Sequence, residues 1–66
     1  MMRLKDVLRL LFSDGWQVKQ RDDQRQLLVH PVKPGSFILP VNEEEHIEPG
    51  TLKTILKKAG LQDHFL

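Results

Sequence analysis

Leu52, Ile55, Leu56 and Ala59 recur at i, i+3, i+4 and i+7, in a segment opened by Pro49 and closed by Gly60. That spacing fits a helix with one apolar side. Proline suits its first position and glycine its end. The same spacing opens the chain, where Leu4, Val7, Leu8, Leu11 and Phe12 run i, i+3, i+4, i+7 and i+8. Residues from about 3 to 13 therefore read as a first helix, stopped at Asp14-Gly15. A chain of 66 residues with an apolar stripe near each end must bury both stripes against whatever lies between them.

Between the helices the period changes from 3.6 to 2. Residues 16–21 alternate apolar and polar, the mark of a half-buried strand, and Asp22-Asp23 suits a tight turn. A second strand is expected over 24–30. Pro31-Val32-Lys33-Pro34-Gly35 is a turn, since two prolines and a glycine cannot continue a ladder. A third strand is expected over 37–41, and Pro40 within it argues for an edge position. Residues 42–48 form an acidic connection and residues 62–66 a short tail. The order α-β-β-β-α with short connections favours an α+β fold: an antiparallel three-stranded meander with both helices on one face. Residues 1–66 read as a single domain.

In the second strand Gln26, Leu28 and His30 point one way and Arg25, Leu27 and Val29 the other. One set meets the helices and the other faces solvent, but spacing alone does not choose between them. Either choice leaves some aliphatic surface on the sheet. It is then a set of scattered surface residues or a docking patch.

The chain has no cysteine, so neither disulfides nor thiolate metal sites can supplement its small core. No apolar run approaches the roughly 18 residues of a membrane span and no secretory pattern opens the chain, so a soluble cytoplasmic protein without a membrane association is expected. Net charge is only +1, but its distribution is uneven: +3 over residues 1–21, −4 over 22–48 and +2 over 49–66. Lys53 and Lys57 lie four apart beside the closing stripe, with Lys58 following. Such a row is a solvated face of a core helix or a surface that touches RNA phosphates.

No pair of histidines has metal-ligand spacing, and no cofactor is expected. His30 ends a strand before proline, a structural setting. His46 lies among carboxylates in the connection and His64 in the tail. Ser36 has no His/Asp company that spacing reveals.

The layout of helix, Gly15-Trp16, hairpin, His30-Pro31, a strand ending near Pro40 and Gly50-Thr51-Leu52-Lys53-x-Ile55-Leu56-Lys57-x-Ala59-Gly60-Leu61 resembles the HicA (YcfA-like) toxin family over nearly the whole chain. The closing motif is its specific part. The resemblance implies a double-stranded-RNA-binding-domain-like fold acting as a metal-free mRNA interferase of a toxin–antitoxin system. Its partners would be mRNA and a HicB-type antitoxin that covers the active face, with self-association as the other way to bury a sheet face.

Family members open the second strand with Gly-Ser-His, the histidine being catalytic. Aligned without gaps on Gly15-Trp16 and His30-Pro31, those positions here are Asp23, Gln24 and Arg25. Metal-free cleavage needs a group of near-neutral pKa to move the 2′-hydroxyl or leaving-group proton. Arginine stays charged, so it can hold a phosphate but cannot act as a base. Asp23 adds negative charge where a phosphodiester would approach, and Glu43-Glu44-Glu45 is expected to repel it further. Two readings follow: a toxin-type endoribonuclease of impaired activity, with Arg25, Lys53, Lys57 and Lys58 holding RNA, or an inactive relative that binds RNA or a protein.

Overall fold

The computed structural model describes residues 2–61. A short strand β1 (Met2–Arg3) leads into helix α1 (Leu4–Ser13). Three strands follow, β2 (Gln17–Arg21), β3 (Arg25–Val29) and β4 (Ser36–Pro40). A second short strand, β5 (His46–Ile47), then precedes helix α2 (Pro49–Lys58). The three longer strands form an antiparallel meander in the order β2-β3-β4, which leaves β4, with Pro40, at an edge as expected. The 62–66 tail, with His64, lies outside the described residues.

One feature of the connection has no signal in the period. Met2 pairs with Ile47 and Arg3 with His46, closing a second, two-stranded sheet. This pairing brings the acidic segment back to the start of α1. There the Leu4 N–H donates to the Glu45 carbonyl at 2.8 Å and the Lys5 N–H to the Glu43 carbonyl at 3.1 Å. The first turn of α1 has no side-chain cap, so these loop carbonyls take donors a helix start otherwise leaves unpaired.

Both helices end in the same way. The Gly15 N–H donates to the Phe12 carbonyl and the Trp16 N–H to the Leu11 carbonyl, at 3.1 and 3.0 Å. In α2 the Gly60 N–H meets the Lys57 carbonyl and the Leu61 N–H the Leu56 carbonyl, at 3.2 and 2.8 Å. Each is a Schellman closure that needs a residue of positive φ at the turn. Gly15 and Gly60 supply it, at 106° and 71°. The residue after each glycine, Trp16 or Leu61, is then carried back into the core.

That core is one cluster. Leu4, Val7, Leu8 and Leu11 of α1 and Ile55, Leu56 and Ala59 of α2 meet Leu28 of β3 and Phe37 and Leu39 of β4. Both helices therefore cover one face of the sheet, and burying each large side chain contributes roughly 1.5–3 kcal/mol. Phe12 departs from the expected stripe at 44% exposed. At 100° per residue it sits about 80° round from Leu4, at the stripe's margin. The half-buried reading of residues 16–21 needs a larger correction: Trp16 is buried, but every residue of β2 is exposed. β2 is the other edge of the sheet, and a bulge between Val18 and Gln20 shifts its register against β3. Val18 is left 42% exposed.

Candidate functional site

The register decides which face of β3 looks outward. Leu28 pairs with Phe37 and Gln26 with Leu39, and all four are buried. Gln26 is the one buried polar residue of the inner face, and its side-chain amide donates to the Pro40 carbonyl at 2.8 Å. Arg25, Leu27 and Val29 therefore occupy the open face, opposite Pro40, Ile38 and Ser36. Arg25 is exposed, Leu27 and Val29 are half-buried, and Ile38 is 67% exposed.

The turn before β3 fixes where Arg25 stands. Asp22 accepts the Gln24 and Arg25 N–H groups on one carboxylate oxygen, each at 2.8 Å, while its own N–H donates to the Arg25 carbonyl at 2.9 Å. These bonds to the charged carboxylate, the Arg25 N–H first and then that of Gln24, hold the Asp22 pKa below its ordinary value. Asp22-Asp23 is thus a structural turn, as its composition suggests. Beyond it Gln20, Arg21, Asp22, Arg25, Gln26, Leu27 and Ile38 line a shallow depression of about 280 Å³. Its floor is aliphatic and its rim carries two guanidinium groups and one carboxylate. That arrangement suits a polyanion whose backbone meets the rim.

Among the described residues no histidine lines this depression. His30 lies on the inner side at the far end of β3, five residues or roughly 16 Å along the strand from Arg25. Its ring is fully engaged. Nδ1 accepts the Val32 and Lys33 N–H groups, both at 3.0 Å, so the ring proton sits on Nε2 and is donated to the Asp14 carbonyl at 2.6 Å. His46 is on β5, opposite Arg3. The acidic connection does not line the depression either. Glu44 lies 3.4 Å from Arg3 and 3.7 Å from Lys5, exposed pairs worth little energy, so its charge sits at the start of α1 rather than beside Arg25.

The structure separates the four cations singled out in the sequence. Lys53 and Lys57 share a flank of α2, on the opposite side of the sheet from Arg25. Lys58 is turned about 100° from Lys57 and lies on the other flank. It lines a second depression with Trp16, Pro34, Gly35, Ser36 and Phe37. All three lysines are exposed.

Lys33 carries an organising role that composition did not single out. Its ammonium donates to the Asp14 carboxylate at 2.5 Å and to the Ala59 carbonyl at 2.8 Å, tying the ends of both helices to the β3–β4 turn. A cation there also suits the negative ends of two helix dipoles. The Lys33 hydrogen bond and charge lower the Asp14 pKa against the opposing effect of partial burial. Among the described residues the buried Trp16 indole N–H has no hydrogen-bond partner; it lies near enough to the same carboxylate to favour its charge slightly, outside bonding geometry. A lysine in a Pro-x-Lys-Pro turn gives no periodic signal, so only the fold reveals it.

Among the described residues, no helix is long and apolar enough to cross a membrane. A family model described as the HicA toxin of bacterial toxin–antitoxin matches residues 4–61. No curated protein matches the chain closely.

Proposed function

The chain belongs to the HicA toxin family of bacterial toxin–antitoxin systems, and from that membership we propose that it is a toxin-type protein that holds mRNA on its open sheet face and cleaves it feebly. One observation carries this reading. The position where the resemblance expects a catalytic histidine is on the open face, beside the depression, and it is Arg25.

A guanidinium there can neutralise a phosphate and stabilise charge that develops during cleavage, but it takes no proton from a 2′-hydroxyl. Loss of a general base costs about 10²–10⁴-fold in rate. The engaged ring of His30 offers no substitute, because its polar atoms are bonded to backbone on the inner side. Lys53, Lys57 and Lys58 contribute phosphate contacts outside the depression. The reaction, if it runs, needs no metal in this reading, and it takes place in the cytoplasm, where mRNA is.

Family membership also implies an antitoxin partner. We assign it as HicB-type and place it over the open face, where Ile38 and the half-buried Leu27 offer aliphatic area beside Arg25. Those same residues favour the second reading, an inactive module that uses this face for a protein alone. Induced expression in a bacterium, with growth and transcript integrity followed together, separates the readings. Slow transcript loss with RNA retained on the purified protein supports the first. RNA that fails to bind at low salt favours the second, and rapid transcript fragmentation overturns the impairment.

A further inference from the structure

We propose that the depression between the start of β4 and the end of α2 is a second nucleotide subsite, which takes one unstacked nucleotide of single-stranded RNA with its phosphate on Lys58. The inference rests on RNA being the ligand. It adds a site that is separate from Arg25.

The depression has a volume of about 340 Å³ and is lined by Trp16, Pro34, Gly35, Ser36, Phe37 and Lys58. That volume falls at the lower end of the range for small-ligand pockets, roughly 300–1,000 Å³. Its composition is divided in the way a nucleotide needs. Trp16 and Phe37 form the apolar base, with ring centroids 4.7 Å apart and planes tilted at 55°. Pro34 adds a ring at the exposed rim. The Ser36 hydroxyl can meet the polar edge of a base, and the Lys58 ammonium can meet a phosphate.

Lys58 is available for that role. Among the described residues it has no carboxylate partner, whereas neighbouring Lys33 is committed to Asp14 and Ala59. The approach is open at Gly35. Its φ is 91°, a conformation that favours glycine, and apart from its chain neighbours no described residue comes within 4 Å of where a Cβ would stand.

Position links the subsite to the open face. Ser36 pairs with Val29 at one end of β4, and Pro40 pairs with Arg25 at the other. Four residues separate the two ends, roughly 13 Å along the strand. Arg25 lies on the open face and Lys58 on the helix side, so a single strand can place one phosphate at Arg25 and a later nucleotide beside Lys58 by passing round the β4 edge of the sheet. A duplex cannot, because its bases remain stacked and paired.

Trp16 is the only tryptophan in the chain and lines the depression, so its fluorescence reports occupancy. The full chain is titrated with uridine and adenosine 5′-monophosphates, with inorganic phosphate, and with a short single-stranded oligoribonucleotide. A saturable change with the nucleotides is expected, at least tenfold weaker in Lys58→Gln and unaltered in Arg25→Ala, with a much smaller response to phosphate. Lys58 is exposed, so Lys58→Gln keeps the fold, which circular dichroism checks. A flat titration, a Lys58→Gln curve equal to wild type, or a full response to phosphate alone overturns the subsite. Oligoribonucleotide binding that leaves Trp16 silent and is abolished by Arg25→Ala overturns the subsite but preserves the wider RNA reading. Failure of every ligand to bind overturns both.

Discussion

A Cβ on Gly15 would stand 2.9 Å from Nε2 of His30. Two dipeptides that the sequence offers as separate marks, Gly15-Trp16 and His30-Pro31, are thus the two halves of one joint. The imidazole lies where a side chain at position 15 would be, gives its proton to the Asp14 carbonyl and stands edge-on to Trp16, with centroids 5.3 Å apart. The close approach falls on a side-chain atom, which would ordinarily move aside. Here three hydrogen bonds hold the ring, so it cannot yield cheaply.

Gly15→Ala should therefore destabilise the fold through strain at a φ of 106° as well as through the crowded imidazole. A loss of roughly 1–3 kcal/mol is expected for a residue forced into such a backbone region. For a domain of this size each 1 kcal/mol lowers Tm by about 4–8 °C. Urea and thermal unfolding followed by circular dichroism measure it. Stability equal to wild type would mean that the joint is not rigid.

The parts of this fold that were legible in the sequence share a physical cause: they follow from periodicity or from a residue with few conformations. The stripes at Leu4–Leu11 and Leu52–Ala59 announced both helices, Gly15 and Gly60 their ends, and Pro40 an edge strand. The face of β3 was not legible, because Gln26-Leu28-His30 and Arg25-Leu27-Val29 are similarly amphipathic sets. Register against Phe37 and Leu39 decided between them. The β1–β5 pair and the Lys33 clamp join residues 19 or more positions apart, which no local pattern encodes. At the candidate site, the exchange at Arg25 was readable from the resemblance, whereas the separation of Arg25 from Lys53 and Lys57 by the thickness of the sheet was not.

Acid should weaken the fold through Asp14. Its folded pKa is depressed, chiefly by the hydrogen bond and charge of Lys33. A depressed carboxylate binds its proton less readily when folded than when unfolded, so its contribution is fully present above the usual value near 4 and is lost as pH falls through the lower folded value. Asp14→Asn should remove this contribution, giving lower stability at neutral pH and a shallower fall below about pH 4. Part of the fall remains, because the Asp22 carboxyl is also depressed by its turn bonds. Urea midpoints between pH 2 and 7 check this, and an unaltered acid limb in Asp14→Asn would count against the clamp.

Salt should report which cations touch RNA. Each phosphate neutralised on a single strand contributes about 0.7 to the slope of log affinity against log salt. If Lys53 and Lys57 each hold one phosphate, Lys53→Ala/Lys57→Ala should make that slope about 1.4 shallower. Binding isotherms at several salt concentrations measure it. An unaltered slope would show these lysines to be a solvated face of α2, and a flat salt dependence of the wild type would favour a protein ligand.

The combined exchange Asp23→Gly, Gln24→Ser and Arg25→His tests the mechanism most directly. Arg25 is exposed and Asp23 and Gln24 lie in an exposed turn, so the core is untouched. The turn itself rests on Asp22, which is retained and still receives the N–H groups of residues 24 and 25. The new imidazole would occupy the open face beside Leu27 and Ile38, free of the backbone bonds that engage His30. Removing the Asp23 charge also eases the approach of a phosphodiester. A well-folded variant should cleave RNA faster than wild type by about 10²-fold or more, the scale of a restored general base. The gain should follow imidazole titration, peaking near neutral pH. Rates equal to wild type in a folded, RNA-binding variant would mean that the histidine is not the only catalytic group this chain lacks.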